Sequence, residues 1–344
     1  MLESLFDLKR LRQQPVDGSF WLFYALVVFG CLAIQVSGIS IGRWGEDAYL
    51  LQMAIETGGR IGANSPADKM VAAITPFLGF GPLPNLIPTV LITFVIARVA
   101  YQGDLVERLV IFYLSFPLIF QLQFVSKEAI VTVSVIVIYI TFNILKGSKA
   151  RAIAVTALIS LMAILFRQYY FISLGIMITA VWLKRPALIV PAVVTGICFA
   201  GLIDQIRDPL LDARYLVYRN VSSNAASIIP LYFHSYNAVS FIGNYFFSIP
   251  FYCIPFLVGL RVQELYMQIY MILTVIILVK SLQSGNRYLS ALFMGILLTF
   301  PVFVAEVGTI ARHLSGVIPI AYLSLFFAPL SEEGVASKAR RARL

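Results

Sequence analysis

Apolar runs recur through almost the whole chain, each closed by a short polar, basic or Pro/Gly-rich interruption. The clearest pair is Ala129–Leu145 and Ala152–Phe166, joined by the basic hinge Lys146-Gly147-Ser148-Lys149-Ala150-Arg151. A helix needs about 20 apolar residues to cross a hydrocarbon core, and both runs approach that length. The same reading along the chain predicts further spans at Phe20–Ile39, Asn85–Tyr101, Leu109–Phe124, Tyr170–Leu183, Ala187–Ile203, Leu265–Val279, Tyr288–Val304 and Leu314–Leu330. The expected fold class is therefore all-α: one polytopic transmembrane domain over residues 1–344 with about ten helices. Two larger outer loops are expected, at about 40–83 and 204–264.

Charge sets the orientation. Short loops rich in Lys and Arg stay cytoplasmic, so the basic amino terminus (Lys9, Arg10, Arg12) and the Lys146–Arg151 hinge are inside. One segment decides the rest. Phe241–Leu260 is apolar but carries Pro250, Pro255, Asn244 and Ser248. If it spans, only 12 of the 26 Lys and Arg residues lie inside; if it only dips into the outer leaflet, 16 do. The second arrangement obeys the rule, so an outer re-entrant or interfacial element is expected, with both termini cytoplasmic.

Composition agrees with this pattern. Hydrophobic residues make up 60% of the chain, charged residues 12%, and mean hydropathy is +0.87; soluble domains carry about 25% charged residues. The net charge of +9 reflects membrane anchoring, and no nucleic-acid partner is expected. Cys31, Cys198 and Cys253 stand alone in apolar sequence and read as packing residues. Two histidines in the chain argue against a His-based metal centre.

Under this topology the outer face gathers Glu46, Asp47, Lys127, Glu128, Arg167, Arg207, Arg214, Arg219, His234, Glu306, Arg312 and His313. Lys127, Arg167 and Arg312 arrive from three different helix ends. Three cations at one boundary suit a phosphate or pyrophosphate, which Arg grips bidentately and Lys as a point charge. Lys127 paired with Glu128 or Glu306, and Arg167 snorkelling to headgroups, are the plainer alternatives. Glu46 and Asp47 are candidate general bases for a hydroxyl nucleophile; Asp47 could instead cap the helix after it. Tyr169, Tyr170, Arg214, Tyr215, Arg219 and His313 are candidate glycan contacts, with an interface-belt role as the alternative for the tyrosines.

A first span followed by Glu46-Asp47-Ala48-Tyr49 is similar to the GT-C superfamily of membrane glycosyltransferases, which place a carboxylate in the first outer loop and use polyprenyl-phosphate-linked sugars. FVSKEAIV at Phe124–Val131, the basic inner turn, FRQYYF at Phe166–Phe171 and the late VGTIARHLSGVIP resemble bacterial surface-polysaccharide repeat-unit polymerases, including the EpsG-like group. Two positions depart from that pattern: Ser126-Lys127 stands where serine-arginine is usual, and the histidine often found at Arg167-Gln168 is missing. The resemblance implies catalytic roles for Asp47 or Glu46 and pyrophosphate binding by Lys127, Arg167 and Arg312.

The expected function is polymerisation of undecaprenyl-pyrophosphate-linked glycan repeat units at the outer face of the bacterial inner membrane, in exopolysaccharide, capsule or O-antigen synthesis. Expected partners are the lipid-linked oligosaccharide, a chain-length regulator and a flippase. The chemistry needs no cofactor or metal, though Glu46 and Asp47 could ligate a divalent ion. Two alternatives stay open: a GT-C monoglycosyltransferase using a polyprenyl-phosphate sugar, and a non-enzymatic lipid-linked oligosaccharide flippase or transporter. A transporter should carry midplane charges and internal symmetry; here the charges sit at span ends and no repeat is evident.

Overall fold

A computed structural model describes residues 16–36, 83–122, 128–145, 147–165, 170–183, 189–220, 228–260, 262–304 and 307–327. Among these the chain is all-helical. The elements are α1 (Gly18–Val36), α2 (Leu83–Ala100), α3 (Leu105–Gln121), α4 (Glu128–Ile144), α5 (Ser148–Leu165), α6 (Tyr170–Leu183), α7 (Ile189–Leu202), α8 (Asp204–Asn220), α9 (Ala238–Cys253), a 3-10 turn (Pro255–Leu257), α10 (Val262–Ser284), α11 (Arg287–Phe303) and α12 (Val307–Phe326). Each predicted apolar run falls on one of α1 to α7 or α10 to α12. The predicted loop at about 40–83 lies almost wholly outside the described residues.

Helix starts follow local chemistry. Asp17 receives the Phe20 amide at 3.0 Å and so caps α1. Asp104 and Glu107 cap α3 reciprocally: the Glu107 amide reaches the Asp104 carboxylate at 2.9 Å, and the Asp104 amide reaches Glu107 Oε2 at 2.9 Å. Asn237 and Asn286 cap α9 and α11 with their side-chain oxygens alone, which accept the Ser240 amide and the Tyr288 and Leu289 amides.

The chain winds around α12. This helix packs against α2, α3, α4, α9, α10 and α11, and every residue from Leu314 to Leu325 is buried. A helix apolar on all faces must be enclosed, and its sequence LSGVIPIAYLSL meets that condition. Thr309–Phe326 and Glu264–Gln283 are the two described helical stretches long and apolar enough to cross a membrane. The first is 78% buried and central; the second is 33% buried and lies at the rim. On the rim, α10 exposes Leu265, Ile269, Ile272, Val275, Val279 and Leu282, an apolar stripe at helical spacing along its whole length. Val133, Val137, Ile140 and Ile144 do the same on α4.

Opposite helix ends carry different chemistry. At one end Arg98 of α2 lies over the rings of Phe20 and Phe326, 5.6 Å from each centroid. Tyr101 bonds Asp17 at 3.1 Å, Arg151 reaches the Phe142 carbonyl at 2.7 Å, and Arg287 bonds the carbonyls of Ala180 and Val181. Here Ser281, Ser290 and Ser324 join α10, α11 and α12 by mutual hydroxyl bonds of 2.6–2.8 Å.

The segment expected as an outer loop at about 204–264 contains two helices, α8 over Asp204–Asn220 and α9 over Ala238–Cys253. The buried face of α8 is Arg207, Leu211 and Tyr215, spaced four residues apart. Arg207 hides that periodicity, and it is accommodated because Asp204 and Asp208 bind it at 2.8 and 2.7 Å. In Phe241–Leu260, Pro250 sits inside α9, and the helix stops at Ile254, just before Pro255.

The course of α9 follows from three contacts. Gly201, in the last turn of α7, packs against Phe241 and Ile242. Further along, Tyr245 bonds the Leu298 carbonyl at 3.0 Å and Tyr252 bonds that of Val304. Thus α9 starts beside the last turn of α7, runs alongside α11, and finishes at the end of the bundle where α10 begins.

Candidate functional site

Two registers define the end opposite Arg98. Helices α3 and α12 are antiparallel, with Tyr322 bonding the Ile111 carbonyl at 3.1 Å and Ser115 Oγ at 3.3 Å from the Tyr322 hydroxyl. Six to ten residues further along α3 lies Gln121; the matching stretch of α12 is Arg312–Gly316. Helices α4 and α12 run parallel. Gly316 faces Val131, whose Cγ1 lies 3.4 Å from the glycine's Cβ position, and Phe142 packs on Phe327 with centroids 5.1 Å apart. The end of the first turn of α4 is thus level with the third turn of α12, about one turn deeper than Arg312. Across α12 from these, α11 packs on α6, where Ser173 and Thr299 hydroxyls meet at 3.0 Å.

Of the predicted site residues, Arg312 and His313 lie on the second turn of α12, both half-buried. His313 is 6.2 Å from the Phe300 ring, and the Arg312 carbonyl accepts the Ser315 hydroxyl at 2.9 Å. Tyr170 opens α6 and is 3% exposed. Tyr215 is buried on α8, its hydroxyl held between the carbonyls of Phe233 and Ser235 at 3.1 Å each. It tethers the 228–237 segment, which Asn244 also holds through the Tyr232 and Phe233 amides. Arg214 and Arg219 lie on α8. Glu46, Asp47, Lys127, Arg167 and Tyr169 lie outside the described residues. Lys127 directly precedes α4 in the chain, and Arg167 falls between α5 and α6. The described helices flanking those two positions, α4 and α6, reach this same end, where Arg312 lies on α12.

Two further polar residues lie toward this end of the bundle. Gln121 is 4% exposed and neither its side-chain nitrogen nor its oxygen has a hydrogen-bond partner. Thr132 is fully buried with its hydroxyl equally unpartnered. Buried polar groups are nearly always satisfied, so each is unusual. In the sequence, Gln121 is visible as a polar residue ending an apolar run; Thr132 carries no signal, since threonine is common in such helices. Deeper in the bundle Tyr113, Tyr266, Tyr270 and Tyr322 cluster between α3, α10 and α12. Tyr270 bonds the Leu114 carbonyl at 3.1 Å, while the Tyr266 hydroxyl is buried without a partner.

On the α8 surface, hydrogen bonding to Asp208 raises the Arg207 pKa above its ordinary value, against the effect of desolvation. That cation is committed to its own helix and is a poor candidate for ligand binding. The α12 end carries the half-buried Arg312 and His313. Chemically it can hold an anionic, hydroxylated ligand. No protein-family model, curated protein or solved structure matches the chain.

Proposed function

We propose that this chain is a multi-pass glycosyltransferase of the bacterial inner membrane that polymerises undecaprenyl-pyrophosphate-linked glycan repeat units on the outer face. In this reading α1 to α7 and α10 to α12 span the bilayer, α9 re-enters from outside, and both termini are cytoplasmic. The apolar stripes on α10 and α4 support lipid contact. Arg98, Arg108, Lys149, Arg151 and Arg287 at one end support that end as cytoplasmic. The observation that carries the reading is the half-buried Arg312 near the end of an otherwise apolar bundle opposite the Arg98 end, where the described helices flanking Lys127 and Arg167 also terminate.

The reaction has one electrostatic problem. The bond between the donor anomeric carbon and the pyrophosphate oxygen breaks, and the acceptor hydroxyl oxygen takes its place on that carbon. Its proton passes to Asp47 or Glu46, and negative charge grows on the departing pyrophosphate. Lys127, Arg167 and Arg312 are assigned to that charge, because fixed cations in a water-poor site need no reorganisation as it develops.

The glycan profile of a deletion strain tests the proposal. Single repeat units accumulating on the lipid carrier outside are expected. A polymer missing one branch sugar would replace the polymerase by a monoglycosyltransferase. Repeat units trapped inside would mean a flippase.

A further inference from the structure

We infer that the 228–237 segment and α9 form a re-entrant hairpin whose tip faces water near the middle of the bundle, at the floor of a recess open to the outer face. The inference rests on the orientation proposed above for this end, and adds the depth to which water reaches.

Depth comes from register. Tyr245 and Tyr252 of α9 bond the Leu298 and Val304 carbonyls, so α9 runs parallel to α11. Its first residue, Ala238, therefore comes no nearer the outer end than Gly295, the midpoint of α11. Ser281 of α10 bonds Ser290 of α11 at 2.8 Å. Counted from there along these antiparallel helices, the same level falls at Val275 and Val279, well inside the apolar stripe that α10 exposes. The limb before α9 runs back toward the outer end. Asn237 caps the helix, the Phe233 ring lies against Gly243, and the Tyr232 ring is 5.3 Å from that of Phe247 and 6.5 Å from that of Phe251.

Two physical conditions then fix the surroundings. Non-helical backbone at this depth is tolerated only where it is enclosed by protein or lines a wet cavity. Asn244 and Tyr215 supply the enclosure. Asn244 Oδ1 accepts the Tyr232 and Phe233 amides, and its Nδ2 donates to the Phe233 carbonyl at 2.7 Å. The Tyr215 hydroxyl lies 3.1 Å from the carbonyls of Phe233 and Ser235. The side chains at the tip are placed differently: His234, Ser235, Tyr236 and Asn237 are all exposed. The Tyr236 hydroxyl bonds Asp212 of α8, an exposed carboxylate, at 2.6 Å. A carboxylate facing hydrocarbon is costly, whereas Val275 at the same depth is suited to it. The hairpin tip and α8 therefore share a wet side, while α10 keeps a lipid side.

Ser235→Cys and Val275→Cys test this singly in the full-length chain with Cys31, Cys198 and Cys253 replaced. The serine's carbonyl holds the limb and its exposed side chain does not, so the substitution leaves the hairpin intact. Right-side-out membrane vesicles are treated with a small impermeant thiol reagent and with a bulky polyethylene-glycol maleimide, each rate being referred to the detergent-unfolded protein. Position 235 is expected to react at least about ten-fold faster with the small reagent than with the bulky one, because thiol reactivity follows access. Position 275 should react with neither. Equal rates for the two reagents at 235 would put the tip on the surface and overturn the inference. So would a position 235 as unreactive as 275 from both sides of the membrane. Reaction of 235 only in inverted vesicles would overturn the proposed orientation, and the outward opening with it. No substrate enters the measurement, so a glycan profile that refutes the polymerase leaves this result standing on its own.

Discussion

Gly295 of α11 lies so close to Ser173 of α6 that a Cβ at position 295 would meet the Ser173 carbonyl oxygen at 2.6 Å. No side chain fits there without moving backbone, and the Ser173–Thr299 hydroxyl bond lies one turn away. Close approach at small residues is how helices gain packing where lipid removes the hydrophobic drive. Gly295→Ala should therefore cost about 1–3 kcal/mol through overpacking. Gly30→Ala, at a helical glycine with open space around it, should be neutral or stabilising by up to about 1 kcal/mol. Melting temperatures in detergent decide it; equal effects of the two substitutions would show that the α6–α11 contact is not tight.

The proposed pyrophosphate clamp makes a sharper demand. Removing one such donor costs about 10²–10³ in turnover, so Arg167→Ala and Arg312→Ala should each nearly abolish polymer while the protein accumulates normally. Arg167→Lys should recover little, because a point charge does not reproduce a bidentate grip. Long-chain glycan normalised to membrane protein level is the measurement. Near-normal polymer in Arg167→Ala would remove that residue from the site.

Topology is tested by labelling. With Cys31, Cys198 and Cys253 replaced, single cysteines at position 149, at position 185 and after Ser337 should resist an impermeant thiol reagent in intact cells. Cysteines at positions 47 and 312 should react with it. Labelling of the tail from outside would make α9 a full span.

At the Arg98 end, Ser290 sits in a closed set of hydroxyl bonds with Ser281 and Ser324 and reaches the Ser281 and Asn286 carbonyls at 2.6 and 2.9 Å. Ser290→Ala removes the hydroxyl link from α11 to α10 and α12 and should cost about 1–3 kcal/mol. Gly285→Ala should be worse, since its Cβ would strike Ser324 Oγ and approach the Ser281 carbonyl at 2.5 Å. Both are read as loss of melting temperature, with no change in ligand selectivity.

Asp17 gives a pH signature. The Ser19 hydroxyl, foremost, and the Phe20 amide hold its pKa below the ordinary carboxylate value. A depressed folded-state pKa means stability that is present above the unfolded value near 3.8 and lost as pH falls through the folded value. The gap in melting temperature between wild type and Asp17→Ala should thus be flat from about pH 5 to 8 and close only below about pH 4. A gap that narrows near neutral pH would point to another group.

Much of the architecture is local information. Ten apolar runs became ten helices because each is a sustained apolar stretch set off by caps or polar breaks that act within a few residues, as Asp104-x-x-Glu107 does for α3. Charge asymmetry was legible for the same reason: Arg98, Arg151 and Arg287 flank apolar runs in sequence, and all three lie at one end of the bundle. What the chain order could not reveal is which faces meet. That α12 is central depends on six helices choosing it, and that Arg207, Leu211 and Tyr215 form the buried face of α8 depends on what that helix packs against. Gln121 and Thr132 belong to different apolar runs, and only the packing of α3 and α4 on α12 buries both. Periodicity and charge are properties of neighbours along the chain. Burial without a partner is a property of the assembled bundle, and it alone singled out those two residues.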